Sequence, residues 1–138
     1  MDINAQMAIA SLLAIAANRD GSVDSNETVA MVEVLRRRFG LTSLVALDLV
    51  TRALDDAAVS VSPTPVFEQL NDRLKAAEKQ DVILMLLDVI AADGEKDKQE
   101  LSLIYETAGA LSISDAMLAK VFKRYFKARR KHTPQARE

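Results

Sequence analysis

Apolar residues recur at the spacing of an α-helix along nearly the whole chain, and no stretch shows the sustained alternation of a strand. This pattern predicts an all-α fold, built as a single compact bundle of about seven helices. We expect helices over 3–18, 24–40, 42–58, 76–92 and 97–111, a short helix from 64, and a last helix after 114. The runs at 7–18 and 82–92 are almost entirely apolar, which is typical of buried helices.

The same spacing predicts which side chains face the core. These are Val29, Val32, Leu35 and Phe39 in the second helix, Leu44, Leu47, Val50 and Leu54 in the third, Val66, Phe67 and Leu70 in the fourth, and Leu118, Val121, Phe122 and Tyr125 in the last. Helix ends are indicated by their usual residues. Thr42, Thr64 and Ser114 are expected N-caps, Pro65 is suited to a first turn, and Gly40 is an expected C-terminal stop.

One acidic pattern occurs twice. Asp-Gly-x-x-Asp-x-x-Glu stands at 20–27 and again at 93–100, an offset of 73 residues. The matched pairs are Asp20 with Asp93, Gly21 with Gly94, Asp24 with Asp97, Glu27 with Glu100, Leu13 with Leu86 and Met31 with Ile104. Further on the register slips by one, so that Leu41 matches Ile113 and Thr42 matches Ser114. The halves, at about 7–42 and 80–114, are therefore each predicted to be a helix, an Asp-Gly loop and a helix, related by an approximate internal two-fold axis.

The acidic pattern has a structural explanation. Gly21 can adopt the left-handed conformation that ends a helix, Asp24 is a suitable N-cap, and Glu27 stands three residues later, as in a capping box. Acidic side chains at a helix N-terminus are also favoured by the helix dipole. The second copy has the same arrangement. Capping gives no role to the first acid of each copy, Asp20 and Asp93.

A divalent-cation site is the functional alternative, because a tight loop can bring several carboxylates together. Oxygen ligands of this kind suit Ca²⁺, Mg²⁺ or Mn²⁺. The candidate ligands are Asp20, Asp24 and Glu27 in the first copy and Asp93, Asp97 and Glu100 in the second. The ligands are few, and the spacing is not that of an EF-hand, since Gly is second rather than sixth. Lys96 and Lys98 would oppose a cation at the second copy. Capping and cation binding are compatible.

The stretches LLAIAANRDGSVDSNETVAMVEVLRRRFGLT and LLDVIAADGEKDKQELSLIYETAGALSIS resemble the two halves of the tellurite-resistance TerB family. The resemblance covers about 7–126 and rests on the duplicated Asp-Gly motif with its acid-rich helix start. It implies an all-α domain, a role in bacterial stress response or tellurite resistance, and metal binding through the six acids. Arg19 departs from the family pattern, whereas Ala92 keeps it. We expect one TerB-like domain over 1–132 and a disordered tail over 133–138.

Composition narrows the classes of function. The 138 residues suffice for one domain with a single core, and 49% hydrophobic with 28% charged residues indicates a globular chain. The sequence has no Cys, no Gly-rich phosphate loop, and a single His with no Ser suited to pair with it, which argues against hydrolase triads. We therefore expect a non-enzymatic module that binds a protein partner. The alternative is a purely structural adaptor whose acids only cap helices.

Charge is unevenly distributed along the chain. Residues 1–119 carry 10 basic and 19 acidic side chains, whereas 120–138 carry 8 basic and 1 acidic. The stretch KVFKRYFKARRKH is suited to nucleic acid or to an anionic membrane surface. We favour a terminal helix that buries its aromatic side chains, because the acidic body would repel phosphates. Docking of this arm on the acidic body is a third option. The Arg run at 36–38 is interpreted as a solvated helix end.

Membrane crossing is not expected. The N-terminal apolar run is too short to span a bilayer, and an acid without any Lys or Arg precedes it, unlike a secretory signal. A cytoplasmic location without a transmembrane segment is therefore predicted.

Overall fold

The computed structural model describes residues 2–18, 23–59, 62–92 and 98–132. Within these residues the chain forms seven α-helices and no strand, so the all-α prediction is confirmed. The helices are α1 (Ile3–Ala17), α2 (Ser25–Phe39), α3 (Ser43–Val59), α4 (Thr64–Arg73), α5 (Ala76–Ala92), α6 (Lys98–Ala110) and α7 (Asp115–His132). The predicted tail over 133–138 lies outside the described residues.

Helices α1 and α5 form the centre of the bundle. Ten of the 15 residues of α1 are buried, among them Ile9, Leu12 and Leu13. This helix packs against α2, α3, α4, α5 and α6, while α5 packs against α1, α2, α6 and α7. The apolar runs of the sequence are thus buried, as predicted. In the part of the chain that the structure describes, no helix combines the length and apolar character needed to cross a bilayer.

Helix α3 buries alanines where the sequence predicted leucines. Its inner face carries Ala46, Ala53 and Ala57 together with Leu49 and Val50, of which Val50 was predicted. Leu44, in contrast, is 77% exposed and Leu47 is 46% exposed. Small side chains on α3 meet the alanine-rich surface of α1, and small side chains let two helix axes approach closely. The predicted inward positions of Leu44 and Leu47 are therefore wrong. The same holds for Val29 of α2, which is 62% exposed.

A left-handed residue ends α2 and leads into α3. Gly40 has a φ of 65°, and the backbone N–H of Leu41 donates to the Arg36 carbonyl at 3.0 Å. The Thr42 side-chain oxygen then accepts from the Val45 backbone N–H at 3.2 Å, so it caps α3 as predicted. These bonds satisfy groups that would otherwise lack partners at the two helix ends.

The turn between α6 and α7 repeats this arrangement 72 residues later. Ser112 has a φ of 60°, and the Ile113 N–H donates to the Ala108 carbonyl at 2.8 Å. The Ser114 hydroxyl oxygen accepts from the Met117 N–H at 3.2 Å, which confirms its predicted capping role. Local geometry therefore matches at these two turns. The two-fold relation of the complete halves stays a prediction.

Helix α4 differs at its start from the sequence prediction. Thr64 is the first helical residue rather than the N-cap, which is Pro63, and no side-chain hydrogen bond caps the helix. Pro65 lies in the first turn, as predicted, where its missing N–H leaves no hydrogen bond unmade.

Candidate functional site

The start of α2 is built as a capping box. Asp24 is the N-cap, and its Oδ1 accepts from the backbone N–H of Asn26 at 2.7 Å. In return, Oε1 of Glu27 accepts from the backbone N–H of Asp24 at 3.2 Å. This reciprocal arrangement satisfies donors at the helix N-terminus and places two carboxylates beside its positive end. The predicted capping roles of Asp24 and Glu27 are confirmed.

Glu27 is unusual in its burial. Its side chain is 1% exposed, and among the described residues it is the one buried carboxylate. Removing a carboxylate from water is costly unless hydrogen bonds or opposite charge compensate for it. The helix dipole and the bond to the Asp24 N–H contribute to that compensation. The first acidic copy therefore contains a buried carboxylate in addition to its capping hydrogen bonds.

The structure describes only part of the predicted cation site. Asp24 and Glu27 are brought together at the start of α2. Asp20, Asp93 and Asp97 lie outside the described residues, as do Gly21 and Gly94, and of Glu100 only the backbone in the first turn of α6 is described. Within the described ranges, no three His, Cys, Asp or Glu side chains lie close enough together to hold a metal ion. The six-ligand assignment stays a prediction.

The basic terminal helix docks on the body of its own chain. Tyr125 is buried, and its hydroxyl donates to the Leu87 carbonyl of α5 at 3.3 Å. Nη2 of Arg124 lies 3.6 Å from Oδ1 of Asp81, also on α5. Phe126 remains 44% exposed. These contacts agree with a packed terminal helix, and binding of α7 to nucleic acid or to a membrane stays a prediction.

The arginine run at the end of α2 is not simply solvated. Arg36 forms an ion pair with Glu33 at 2.9 Å, and this hydrogen bond holds the pKa of the Glu33 carboxyl below its usual range. Nη1 of Arg38 reaches across to Oδ1 of Asp81 at 3.3 Å. The run therefore joins α2 to α5, which the interpretation as a solvated helix end missed.

A cavity of about 650 Å³ opens between α2, α5 and α7. We call it the arginine cavity. It is lined by Val34, Arg37, Arg38, Leu84, Asp88, Arg124, Tyr125, Ala128 and Arg129. Sequence reasoning assigned its arginines to two separate helix ends about 90 residues apart. The available signal was that a basic run stands in the last turn of α2 and that basic residues recur along α7, but nothing in the sequence indicated that the two regions meet.

Burial shifts the pKa of two side chains in the cavity wall, Asp88 and Tyr125. Burial raises the pKa of the Asp88 carboxyl, and the positive charge of Arg38 opposes this shift in part. Burial also raises the pKa of the Tyr125 phenol, so it stays neutral and can act as a hydrogen-bond donor.

These features define a class of protein: an all-α helical module with an acidic capping junction at one end of α2 and a cationic cavity at the other. Comparison with protein families gives the particular family. The model described as "Tellurite resistance protein TerB" matches residues 6–123, and the chain belongs to this family. Comparisons with curated proteins and with solved structures found no match.

Proposed function

We propose that this chain is a non-enzymatic, cytoplasmic TerB-family module of a bacterial stress-response or tellurite-resistance system, which binds a divalent cation at its first acidic copy. Membership of the family supports the system. The observation that carries the cation site is the buried Glu27 carboxylate, 1% exposed and held beside Asp24. Buried carboxylates in proteins are compensated by paired charges or metal ions.

The described carboxylates fit a hard cation in their chemistry. The capping bonds use Oδ1 of Asp24 and Oε1 of Glu27, and carboxylate oxygens are the ligands that hard cations prefer. Asp20, which capping leaves without a role, would supply the third carboxylate of this copy. An oxygen-only set suits Ca²⁺, Mg²⁺ or Mn²⁺. The second copy would bind more weakly because Lys96 and Lys98 flank it.

The chain's own residues would act through the joint between α1 and α2. Three neighbouring carboxylates repel one another, and a cation removes that repulsion. Asp24 and Glu27 would then hold the start of α2 in one position relative to the preceding loop. A fixed joint would in turn fix the surface offered to a protein partner. Large apolar side chains exposed on α3, including Leu44 and Leu47, support such a surface.

A structural adaptor is the second candidate, and the confirmed capping box favours it. In that case the acids stabilise the start of α2 and nothing binds there. The two candidates differ in one measurable property, which is whether folding stability depends on a divalent ion.

Thermal unfolding of the full chain with CaCl₂, MgCl₂ or MnCl₂, compared with a chelator, tests the proposal. An ion at one hundred times its Kd stabilises the native state by about 2.7 kcal/mol, so the Tm rises. Asp20→Asn should abolish this rise, while Asp93→Asn should have a smaller effect. Asp55→Asn, at an exposed position on α3, makes the same chemical change away from the loop and should leave the rise intact.

Glu27→Gln separates the two candidates further. Glutamine is accepted at this position of a capping box, so the helix start is preserved. Under the cation proposal the variant folds but no longer responds to the ion. If no ion raises the Tm of the parent chain, and Asp20→Asn and Asp93→Asn change nothing, the cation proposal is wrong and the adaptor stands.

A further inference from the structure

The arginine cavity is separate from the acidic junction. Asp24 and Arg37 are 13 positions apart along α2, and a helix rises ~1.5 Å per residue, so the two sites are about 20 Å apart. The cavity volume of about 650 Å³ is within the range of ~300–1,000 Å³ that is usual for small-molecule sites.

Positive charge dominates the cavity wall. Four guanidinium groups line it, contributed by the last turns of α2 and by α7: Arg37, Arg38, Arg124 and Arg129. Among the described lining residues, Asp88 is the one acid. Guanidinium groups are planar forks whose geometry matches the oxygens of carboxylates and phosphates.

Two of the cavity arginines, Arg38 and Arg124, are held only loosely by a protein carboxylate. Arg38 and Arg124 contact the same oxygen, Oδ1 of Asp81, at 3.3 Å and 3.6 Å. The Asp81 side chain is 39% exposed, and exposed pairs of this length contribute little, about 0–1 kcal/mol. Since a guanidinium has five N–H donors, one long contact to a shared oxygen leaves each fork able to bind an anion.

Arg129 and Tyr125 form a more rigid pair in the cavity wall. Nη1 of Arg129 donates to the Tyr125 hydroxyl at 2.9 Å, and its guanidinium carbon lies 5.5 Å from the Tyr125 ring centroid. The hydroxyl in turn donates to the Leu87 carbonyl. This chain of bonds fixes one guanidinium against the wall before any ligand arrives, which lowers the entropic cost of binding.

We propose that the arginine cavity binds a small molecule that carries a phosphate monoester. Such a group has about two negative charges and three acceptor oxygens, so it can engage guanidinium groups from α2 and α7 together. The apolar side chains of Val34, Leu84 and Ala128 complete the wall and suit the organic part of the ligand. A long polyanion is disfavoured because the surrounding body is acidic, with 19 acids against 10 basic residues over 1–119.

Asp88 gives the proposal a test in which a substitution should strengthen binding rather than weaken it. Its carboxylate faces the same space as the arginines and would repel a phosphate when ionised. Burial already disfavours its ionised form. Replacement by asparagine keeps the size of the side chain and removes the like charge, so Asp88→Asn should tighten phosphate binding. A role of Asp88 in binding a cation would give the opposite result.

The test is a titration of the full ¹⁵N-labelled chain with phenyl phosphate, inorganic phosphate and benzoate, followed by NMR. Phenyl phosphate should bind saturably at one site, with the largest shifts at the amides of Tyr125 and Ala128. Inorganic phosphate, which lacks an apolar part, and benzoate, which carries one charge, should both bind more weakly. Loss of a charged hydrogen bond costs about tenfold in affinity, which is the effect expected for Arg38→Gln and for Arg124→Gln.

Arg52→Gln is the matched control. Arg52 lies on α3, is 68% exposed and pairs with Asp48 at 3.2 Å, so this variant loses the same charge away from the cavity. Arg124→Lys keeps the charge but loses the fork, and it should also weaken binding. The proposal is overturned if Arg52→Gln weakens binding as much as Arg124→Gln, if benzoate binds as tightly as phenyl phosphate, or if no titration saturates.

Discussion

The turn from α2 to α3 and the turn from α6 to α7 share one geometry and differ in sequence. Both place a residue in the left-handed region, with φ of 65° at Gly40 and 60° at Ser112. A hydrogen bond back to the preceding helix and a hydroxyl N-cap follow in each case. Glycine adopts this conformation without strain, whereas serine does not. The backbone hydrogen bonds therefore hold the turn even where the side chain opposes it.

The ends of the two helices differ in charge as well. The last turn of α2 carries Arg36, Arg37 and Arg38, whereas the last turn of α6 has no basic residue. Only the first of these helices can thus contribute arginines to the cavity. The two turns therefore have the same backbone geometry, whereas the residues in the helical turn before each of them give the two helix ends different charge.

The largest expected effect tests whether the two halves are packed alike. Leu13 of α1 and Leu86 of α5 are matched positions of the repeat, and both are fully buried. Leu13→Ala and Leu86→Ala should each lower the free energy of unfolding by about 2–5 kcal/mol, through lost burial and the cavity left behind. Urea unfolding measures both.

Equivalent packing requires the two losses to agree to about 1 kcal/mol, since the chemical change is the same. A much smaller loss at one position would show that the structure relaxes around the deleted side chain in one half only. The similarity of the two halves would then be limited to the geometry of their turns.

A smaller effect, of opposite sign at the two turns, tests the left-handed residues. Gly40→Ala should destabilise by about 1 kcal/mol because alanine is strained at this φ, although nothing lies within 4 Å of the added Cβ. Ser112→Gly should stabilise by up to about 1 kcal/mol, since it relieves the strain. Gly109→Ala is the control: it lies within α6, also with open space around its Cβ, and should stabilise by about 0.5–1 kcal/mol. If Gly40→Ala also stabilises, the strain argument is wrong.

The smallest expected effect contrasts two carboxyls in their response to pH. The raised pKa of Asp88 means that the native state binds its proton more tightly than the unfolded state. Its favourable contribution is complete below the unfolded pKa and is lost as pH rises through the native value. The lowered pKa of Glu33 has the reverse sign, so its contribution is present at neutral pH and is lost as pH falls. NMR titration of the two carboxyl groups should find Asp88 above and Glu33 below their ordinary values.

Much of the fold could be predicted from local signals. The helix bounds followed from the 3.6-residue period together with caps such as Asp24, Thr42 and Ser114, because these act within one turn of the chain. The inner face of α3 could be predicted only in part, since Val50 is buried as expected but Leu44 and Leu47 are exposed. Periodicity favoured Leu44 and Leu47 as core residues, but the alanine-rich surface of α1 selects the small side chains of α3 as its neighbours.

The two candidate sites also differ in whether local sequence signals could predict them. The capping box was predictable because Asp24 and Glu27 are three residues apart in the chain. The arginine cavity was not, because Arg38 and Arg124 meet only through the packing of α2 and α7 against α5. The spacing of residues in the sequence indicates contacts within one helix, whereas this cavity is formed between three helices.

The central position of α1 has a consequence for how the molecule opens. A chain made of two similar halves is expected to unfold one half at a time when each half has its own core. Here α1 contacts helices from both halves and the connecting α4, so neither half can open without exposing α1 to water. The amide hydrogens of α1 should therefore exchange with solvent only when the entire bundle unfolds, as those of a single cooperative unit do.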